Sequence, residues 1–187
     1  MSPEGPDRGP DRDGPRVVLV GPMGAGKSTV GELLADAWSL PLRDTDGDVE
    51  AAEGRPISEI FVDSGEDYFR AKEHEAVLAA LAEHRGVLAL GGGAVLDPDT
   101  RAALRDHLVV FLKVGLSDAV KRVGLGQGRP MLMGGVRGRV KVLLDERLPT
   151  YLEVADIVVD TDGRSAEEVA DDVRRAVEAR EDQEGTS

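Results

Sequence analysis

Short runs of valine and leucine alternate with amphipathic stretches along most of the chain. The apolar runs are only four to seven residues long, as buried strands are, and they lie at 16–20, 86–90, 108–114 and 157–160; the segment 40–44 could be a further short strand. Apolar residues at helical spacing between them predict helices at 28–38, 57–62, 66–84, 99–106, 117–123, 140–151 and 165–179. Strands that are apolar throughout are covered by helices on both faces. The pattern therefore predicts an α/β fold, a three-layer α/β/α sandwich around a parallel sheet of about five strands.

The two ends of the chain lack this pattern. Residues 1–15 repeat a Gly-Pro-Asp-Arg unit, and residues 181–187 read EDQEGTS. Neither segment can bury enough apolar surface to offset the entropy lost on ordering, so we expect a disordered N-terminal extension and a disordered tail. What remains, 16–180, is the length of one domain.

The chain has a formal net charge of −13, which argues against general nucleic-acid binding, because such binding relies on Lys and Arg at phosphates. It contains no cysteine, which excludes disulfides and thiolate metal sites. No apolar run approaches the roughly 20 residues of a membrane span, and no apolar leader follows Met1. We expect a cytoplasmic monomer that binds neither membranes nor nucleic acid.

Residues 21–29 read Gly-Pro-Met-Gly-Ala-Gly-Lys-Ser-Thr and match the phosphate-binding pattern G-x-x-x-x-G-K-[ST]. The glycines let successive N–H groups turn toward phosphate oxygens, and the following helix adds its N-terminal partial charge. Lys27 would reach the β- and γ-phosphates, and Ser28 would bind Mg²⁺. The alternative is a glycine-rich turn with an incidental Lys-Ser pair, which the predicted strand before it and helix after it disfavour. The motif predicts a nucleotide site.

Two carboxylates, Asp44 and Asp46, follow the second predicted strand. On an extended segment, residues two apart point to one face. One carboxylate could then support Mg²⁺ and the other could take a hydroxyl proton as general base. The alternative is a solvated turn, because Asp is a common turn residue.

Arg70 and Glu73 lie one turn apart at the start of an apolar helix stripe. The Arg70 guanidinium could bind a substrate carboxylate through two hydrogen bonds while Glu73 fixes its orientation. An ordinary surface ion pair is the alternative.

Three glycines, 91–93, follow the third predicted strand. Glycine at a strand's carboxyl end suits close approach of the backbone to a ligand, and a flexible loop is the alternative. Farther on, the glycine-rich stretch 124–138 carries Arg129 and is suited to a lid that closes over ATP. Arg147 could bind a second carboxylate oxygen, or it could be a solvated helix residue.

Together these segments resemble the shikimate kinase family, from about residue 16 to about residue 179. The resemblance rests on GPMGAGKSTVG at 21–31, DTD at 44–46, FRAKE at 69–73, LGGGAV at 90–95, GRP at 128–130 and ERLPTY at 146–151. It implies a P-loop fold like that of nucleoside monophosphate kinases, with strand order 2-3-1-4-5, a substrate-binding region at about 45–75 and the lid at about 124–138. The implied reaction is phosphorylation of the 3-hydroxyl of shikimate by ATP, a step of aromatic amino acid biosynthesis through chorismate.

The resemblance also implies roles for individual residues. Asp46, Lys27 and Arg129 are the implied catalytic residues. ATP contacts are implied for Gly24, Ala25, Gly26, Lys27, Ser28, Thr29, Arg122, Arg129 and Arg164. Shikimate contacts are implied for Asp46, Arg70, Glu73, Gly91, Gly92, Gly93 and Arg147. The implied Mg²⁺ residues are Ser28, directly, and Asp44, through water.

Two other functions stay open from the sequence alone. A gluconokinase-like P-loop kinase would also phosphorylate a hydroxy-acid. A non-catalytic, nucleotide-dependent regulator would need the phosphate-binding motif but not the acceptor-side Arg and Asp residues.

Overall fold

The computed structural model of the protein describes residues 13–125 and 135–186. Its five strands are β1 (Val17–Val20), β2 (Leu42–Asp44), β3 (Val87–Ala89), β4 (Val109–Lys113) and β5 (Ile157–Asp160). Its α-helices are α1 (Lys27–Trp38), α2 (Thr45–Glu53), α3 (Ile57–Ser64), α4 (Glu66–Glu83), α5 (Pro98–Leu104), α6 (Leu116–Leu125), α7 (Val136–Val154) and α8 (Ala166–Gly185). A short 3₁₀ helix, Ala94–Leu96, precedes α5.

The strands form one parallel sheet in the order β2-β3-β1-β4-β5. The predicted α/β/α architecture and strand order are therefore confirmed. Side chains of the central strand β1 alternate between the two faces of the sheet. Val17 and Leu19 pack into a core shared with α1 and α8, whereas Val18 and Val20 pack into a second core shared with α4 and α7.

The segment after β2 differs from its prediction. Only Asp44 of residues 44–46 is extended, because α2 begins at Thr45. Asp44 ends the strand and caps the helix, and its side chain accepts a hydrogen bond from the Asp46 N–H at 2.9 Å. The sequence TDGDVEAAE has no continuous apolar stripe, so hydrophobic periodicity missed this helix.

Both predicted ends also need correction. Helix α8 continues to Gly185, so residues 181–185 are helical rather than disordered. Glu181 in this added turn forms an ion pair with Arg16 at 2.9 Å. At the other end, Gly14 and Pro15 are buried rather than disordered. Residues 1–12 and 187 lie outside the described part of the chain.

The carboxyl ends of the parallel strands meet at one edge of the sheet, the edge at which open α/β folds bind ligands. The phosphate-binding motif follows β1, Asp44 ends β2, and the three glycines follow β3 by one residue. The topology therefore collects at one edge the segments in which the sequence predicted chemistry. Among the described helices, none is both long and apolar enough to cross a membrane.

Candidate active site

The phosphate-binding loop joins β1 to α1. Gly24 and Gly26 have φ values of 81° and 90°, a left-handed conformation that glycine adopts without strain. Lys27 folds back over the loop and its Nζ donates hydrogen bonds to the carbonyls of Gly21 and Pro22, at 2.6 and 3.0 Å. Burial lowers the pKa of Lys27 to about 8, against the opposing charges of Asp46 and Asp44. Its ammonium group is therefore held at the mouth of the loop, beside both aspartates.

The two aspartates face the start of α1 from the end of β2. The Ser28 hydroxyl lies 3.5 Å from Oδ2 of Asp44. Burial and, to a lesser extent, the neighbouring carboxylates of Asp44 and Glu73 raise the pKa of Asp46 to about 6, whereas Lys27 opposes the shift. Asp46 is thus a partly desolvated carboxyl group next to a lysine, an arrangement suited to a general base that works near neutral pH.

Arg70 and Glu73 are not a surface ion pair. The Arg70 guanidinium donates to Glu73 Oε1 at 2.7 Å, and Glu73 is only 3% exposed. Burial raises the pKa of Glu73, and the hydrogen bond from Arg70 opposes this rise. On the other side, Arg70 lies 3.7 Å from Glu66 one turn earlier. Glu73 thereby fixes the orientation of a guanidinium that keeps further donors free for a ligand.

The three glycines, which we call the glycine wall, lie against these side chains. A Cβ atom on Gly91 would lie 2.5 Å from Oδ1 of Asp46 and 2.8 Å from Oε2 of Glu73. A Cβ atom on Gly93 would overlap the Arg70 guanidinium. A side chain at Gly91 or Gly93 would therefore displace these acidic and basic groups, whereas a Cβ atom on Gly92 would meet its neighbours only at 3.5 Å or more.

Arg147 approaches the same wall from α7. Its Nη1 lies 3.6 Å from the position a Cβ atom of Gly92 would occupy. Its charge lowers the pKa values of Lys27 and Glu73, which places it within the electrostatic reach of both. Because it lies among these groups, Arg147 is not a solvated residue on the outer face of its helix.

Two of the arginines implied as ATP contacts, Arg122 and Arg164, have protein partners. Arg122 donates to the Gly24 carbonyl at 3.1 Å and to the Thr161 carbonyl at 2.8 Å, linking the phosphate-binding loop to the end of β5. Arg164 forms an ion pair with Asp172 on α8 at 2.6 Å. Arg129 and residues 126–134 of the predicted lid lie outside the described part of the chain.

Sequence reasoning missed two buried hydroxyl groups at this site. Thr45 Oγ1 accepts a hydrogen bond from the Gly91 N–H at 3.2 Å, and the Tyr151 hydroxyl donates to the Gly92 carbonyl. Thr45 stands between the two aspartates, and Tyr151 ends the ERLPTY segment. Neither residue type at these positions indicates by itself what it contacts, because the partners are 46 and 59 residues away.

Comparison with known proteins adds independent findings. The sequence model of the shikimate kinase family matches residues 23–178. A shikimate kinase of Frankia casuarinae is 58% identical over 155 residues, which cover 83% of this chain and 69% of the relative. One of Streptomyces avermitilis is 57% identical over 167 residues, covering 89% and 98% of the two chains.

Solved structures agree with these sequence matches. A shikimate kinase from Acinetobacter baumannii in complex with shikimate superposes with a TM-score of 0.82 at 31% identity, over 89% of this chain and 94% of that one. A gluconokinase from Sinorhizobium meliloti superposes with a TM-score of 0.53 at 21% identity, over 92% of this chain and 98% of that one. The second likeness shows a shared fold alone.

Proposed function

The chain belongs to the shikimate kinase family, and from this premise we propose that its site transfers the γ-phosphoryl group of ATP to the 3-hydroxyl of shikimate, giving shikimate 3-phosphate and ADP. One observation carries the assignment of roles. Asp46, Arg70 and Arg147 reach the glycine wall from three different helices, next to the phosphate-binding lysine. A kinase for a small hydroxylated carboxylate needs such a grouping, because it must hold an anion and a hydroxyl at fixed separation.

The nucleotide phosphates bind at the loop before α1. Backbone N–H groups of 24–29 and the helix N-terminus supply positive partial charge to them. Lys27 exchanges its two bonds to loop carbonyls for phosphate oxygens. The phosphates favour the charged ammonium and so offset the desolvation that depresses its pKa. Arg129, outside the described residues, is expected to contact the phosphates from the lid.

The acceptor hydroxyl binds to Asp46. The carboxylate accepts a hydrogen bond from this hydroxyl. The bond directs the hydroxyl oxygen of the acceptor toward the γ-phosphorus. The acceptor oxygen bonds to phosphorus, the bond from phosphorus to the ADP oxygen breaks, and the hydroxyl proton passes to Asp46. Since phosphoryl transfer has a loose transition state, positioning contributes more than early removal of the proton.

The shikimate carboxylate binds to Arg70 and Arg147. Both guanidinium groups flank the wall, and Glu73 holds that of Arg70 by the 2.7 Å hydrogen bond. A planar fork of donors matches a planar carboxylate, which fixes the ring relative to Asp46. All these groups come from one chain, so a monomer suffices for this site.

Mg²⁺ fits the pair formed by Ser28 and Asp44. A hydroxyl and a carboxylate 3.5 Å apart are hard oxygen donors of the kind this ion prefers, and they lie at the loop that would hold the phosphates. Ser28 would bind it directly, and Asp44 would support it through water. When bound, the ion supplies neutralisation of charge on the β- and γ-phosphates.

The alternatives are weaker. The likeness to a gluconokinase concerns the fold alone, and a regulator would not need a half-buried Asp46 grouped with two arginines at the glycine wall. Measuring ADP release from ATP and Mg²⁺ with shikimate, with gluconate and with no acceptor separates the three functions. We expect release that depends on shikimate. Equal release with gluconate, or release without any acceptor, would contradict the proposal.

A further inference from the structure

Two buried hydroxyl groups hold the glycine wall, one at its first residue, Gly91, and one at its middle residue, Gly92. We infer that Thr45 and Tyr151 are positioning residues for the acceptor, acting through the hydrogen bonds that fix Gly91 and Gly92. This inference rests on the proposed function and deepens it, because it names what sets the shape of the shikimate subsite. Neither side chain needs to touch the substrate for this role.

Thr45 anchors the first end of the wall. It is fully buried and is the first residue of α2, directly between Asp44 and Asp46. Its Oγ1 accepts from the Gly91 N–H at 3.2 Å. The bond therefore ties the turn that carries both aspartates to the backbone against which Asp46 packs. A shift of this turn would move Asp46 and the wall relative to each other.

Tyr151 anchors the middle of the wall. It is 2% exposed, its ring stacks on Phe111 with centroids 4.9 Å apart, and its hydroxyl donates to the Gly92 carbonyl. Burial raises the pKa of Tyr151 despite the opposing charge of Arg147, so the phenol stays protonated and donates. Tyr151 lies one helical turn after Arg147. One turn of α7 thus carries both Arg147, which would bind the substrate carboxylate, and Tyr151, which anchors the wall.

The second anchor also bears on the phosphate-binding loop. A Cβ atom on Gly92 would lie 3.5 Å from the Met23 backbone nitrogen and 3.6 Å from Arg147 Nη1. Gly92 is therefore in contact range of both the phosphate-binding loop and Arg147. Fixing its carbonyl sets the spacing between the acceptor subsite and the phosphates. Small displacements of this kind reduce catalysis, because the reacting atoms must be held near 3–3.5 Å apart.

Three variants test the inference. Tyr151→Phe keeps the ring stacked on Phe111 but removes the donor. Thr45→Val removes the acceptor at nearly constant shape, and Thr45→Ser restores it. Thr100→Val is the matched control, because Thr100 is also fully buried and hydrogen-bonded, to His74 at 2.8 Å, away from the wall.

We expect Tyr151→Phe and Thr45→Val each to raise KM for shikimate by roughly tenfold, which corresponds to about 1.4 kcal/mol, since each leaves a backbone group of the wall without its hydrogen-bond partner. KM for ATP should stay within about twofold, because the phosphate-binding groups are untouched. Thr45→Ser should recover most of the wild-type KM for shikimate. Thr100→Val should lower the Tm without changing that KM.

The outcomes separate the inference from the function on which it rests. Wild-type activity that depends on shikimate, together with an unchanged KM for shikimate in Tyr151→Phe and Thr45→Val, would overturn the inference and leave the function standing. The inference is also wrong if Thr45→Ser raises KM for shikimate as much as Thr45→Val does. It is wrong, too, if Thr100→Val raises this KM as much as the wall variants do. Absence of any dependence on shikimate in the wild type would instead overturn the proposed function.

Discussion

Two residues of the site carry charges that burial disfavours. Burial raises the pKa of Asp46 to about 6 and lowers that of Lys27 to about 8. Both groups are therefore ionised together only in a window around neutral pH, with Asp46 as carboxylate and Lys27 as ammonium. The same residues that would do the chemistry are held at a cost to stability, which is common at active sites.

These shifts predict how activity depends on pH. We expect kcat/KM for shikimate to fall as the pH drops below about 6, because the proton must leave Asp46, and kcat/KM for ATP to fall above about 8, because Lys27 loses its charge. Asp46→Asn should lower kcat by roughly 10²–10⁴ and should lose the acid limb. Initial rates from pH 5 to 9 provide the measurement. An unchanged acid limb in Asp46→Asn would show that another group titrates.

The stability of Asp46→Asn at different pH values independently checks whether folding raises the pKa of Asp46. The folded state raises the pKa of Asp46, so it favours the protonated carboxyl group, and this contribution is lost as the pH rises through about 6. Asp46→Asn should therefore stabilise the protein relative to the wild type at pH 8 and do so less at pH 4. Denaturant unfolding at the two pH values tests this, and the opposite order would contradict the raised pKa.

The glycine wall gives a second prediction at this scale. Gly91→Ala should lower kcat/KM for shikimate by about a hundredfold or more, since the added Cβ atom would displace Asp46 or Glu73 from catalytic geometry. Gly47→Ala is the control, because Gly47 lies in helix α2, and apart from its chain neighbours and the local helix backbone no atom of the described residues lies within 4 Å of the new Cβ. The control should keep its activity and gain about 0.4–1 kcal/mol of stability. Wild-type kinetics in Gly91→Ala would mean that the close contacts are not needed.

A site residue could be predicted from the sequence where the pattern that marks it lies within a few neighbouring residues. Lys27 and Ser28 were predictable because the motif around them is contiguous. Arg70 and Glu73 were predictable as a pair because they share a helix face, although only the fold shows that Glu73 is buried. Thr45 and Tyr151 were not, since a lone hydroxyl residue gives no sign of a partner about 50 residues away.

Among the elements, all five strands were predicted, four of them because they are apolar runs; β2 (Leu-Arg-Asp) is not such a run, and β5 was predicted to the residue. Helix α2 was missed because its short polar sequence depends on the Asp44 cap and on packing of Val49 rather than on an apolar stripe. The end of α8 was placed too early because polar residues 181–185 are ordered partly through distant contacts, such as that of Glu181 with Arg16. Local propensity contains no information about such contacts.

Helix α8 offers a stability prediction that leaves the chemistry untouched. Ser165 and Glu168 form a reciprocal capping box at its start. Ser165→Ala should destabilise the protein by about 0.5–2 kcal/mol, the usual effect of losing such a cap. Thermal unfolding followed by fluorescence of Trp38 is a suitable measurement, because this single tryptophan donates a hydrogen bond to Glu178 on α8 at 3.0 Å. Activity per folded molecule should not change, and an unchanged Tm would show that the cap contributes nothing.

Across the whole molecule, the net charge is negative although the proposed ligands are anions. Its net charge of −13 repels anionic ligands at long range. The parallel sheet places Lys27, Arg70 and Arg147 near one edge, with Arg122 behind the phosphate-binding loop. Sequence order alone spreads these cations over more than a hundred residues, and only the strand order brings them together.

If this site phosphorylates shikimate at its 3-hydroxyl, the reaction products must show it. Wild-type protein and Asp46→Asn are incubated with ATP, Mg²⁺ and shikimate, and the products are analysed by mass spectrometry and by ³¹P–¹H correlation in NMR. We expect equal amounts of ADP and a shikimate monophosphate whose phosphorus couples to the proton on carbon 3. Asp46→Asn should form both products far more slowly. ADP without phosphorylated shikimate, or phosphate on another hydroxyl, would contradict it.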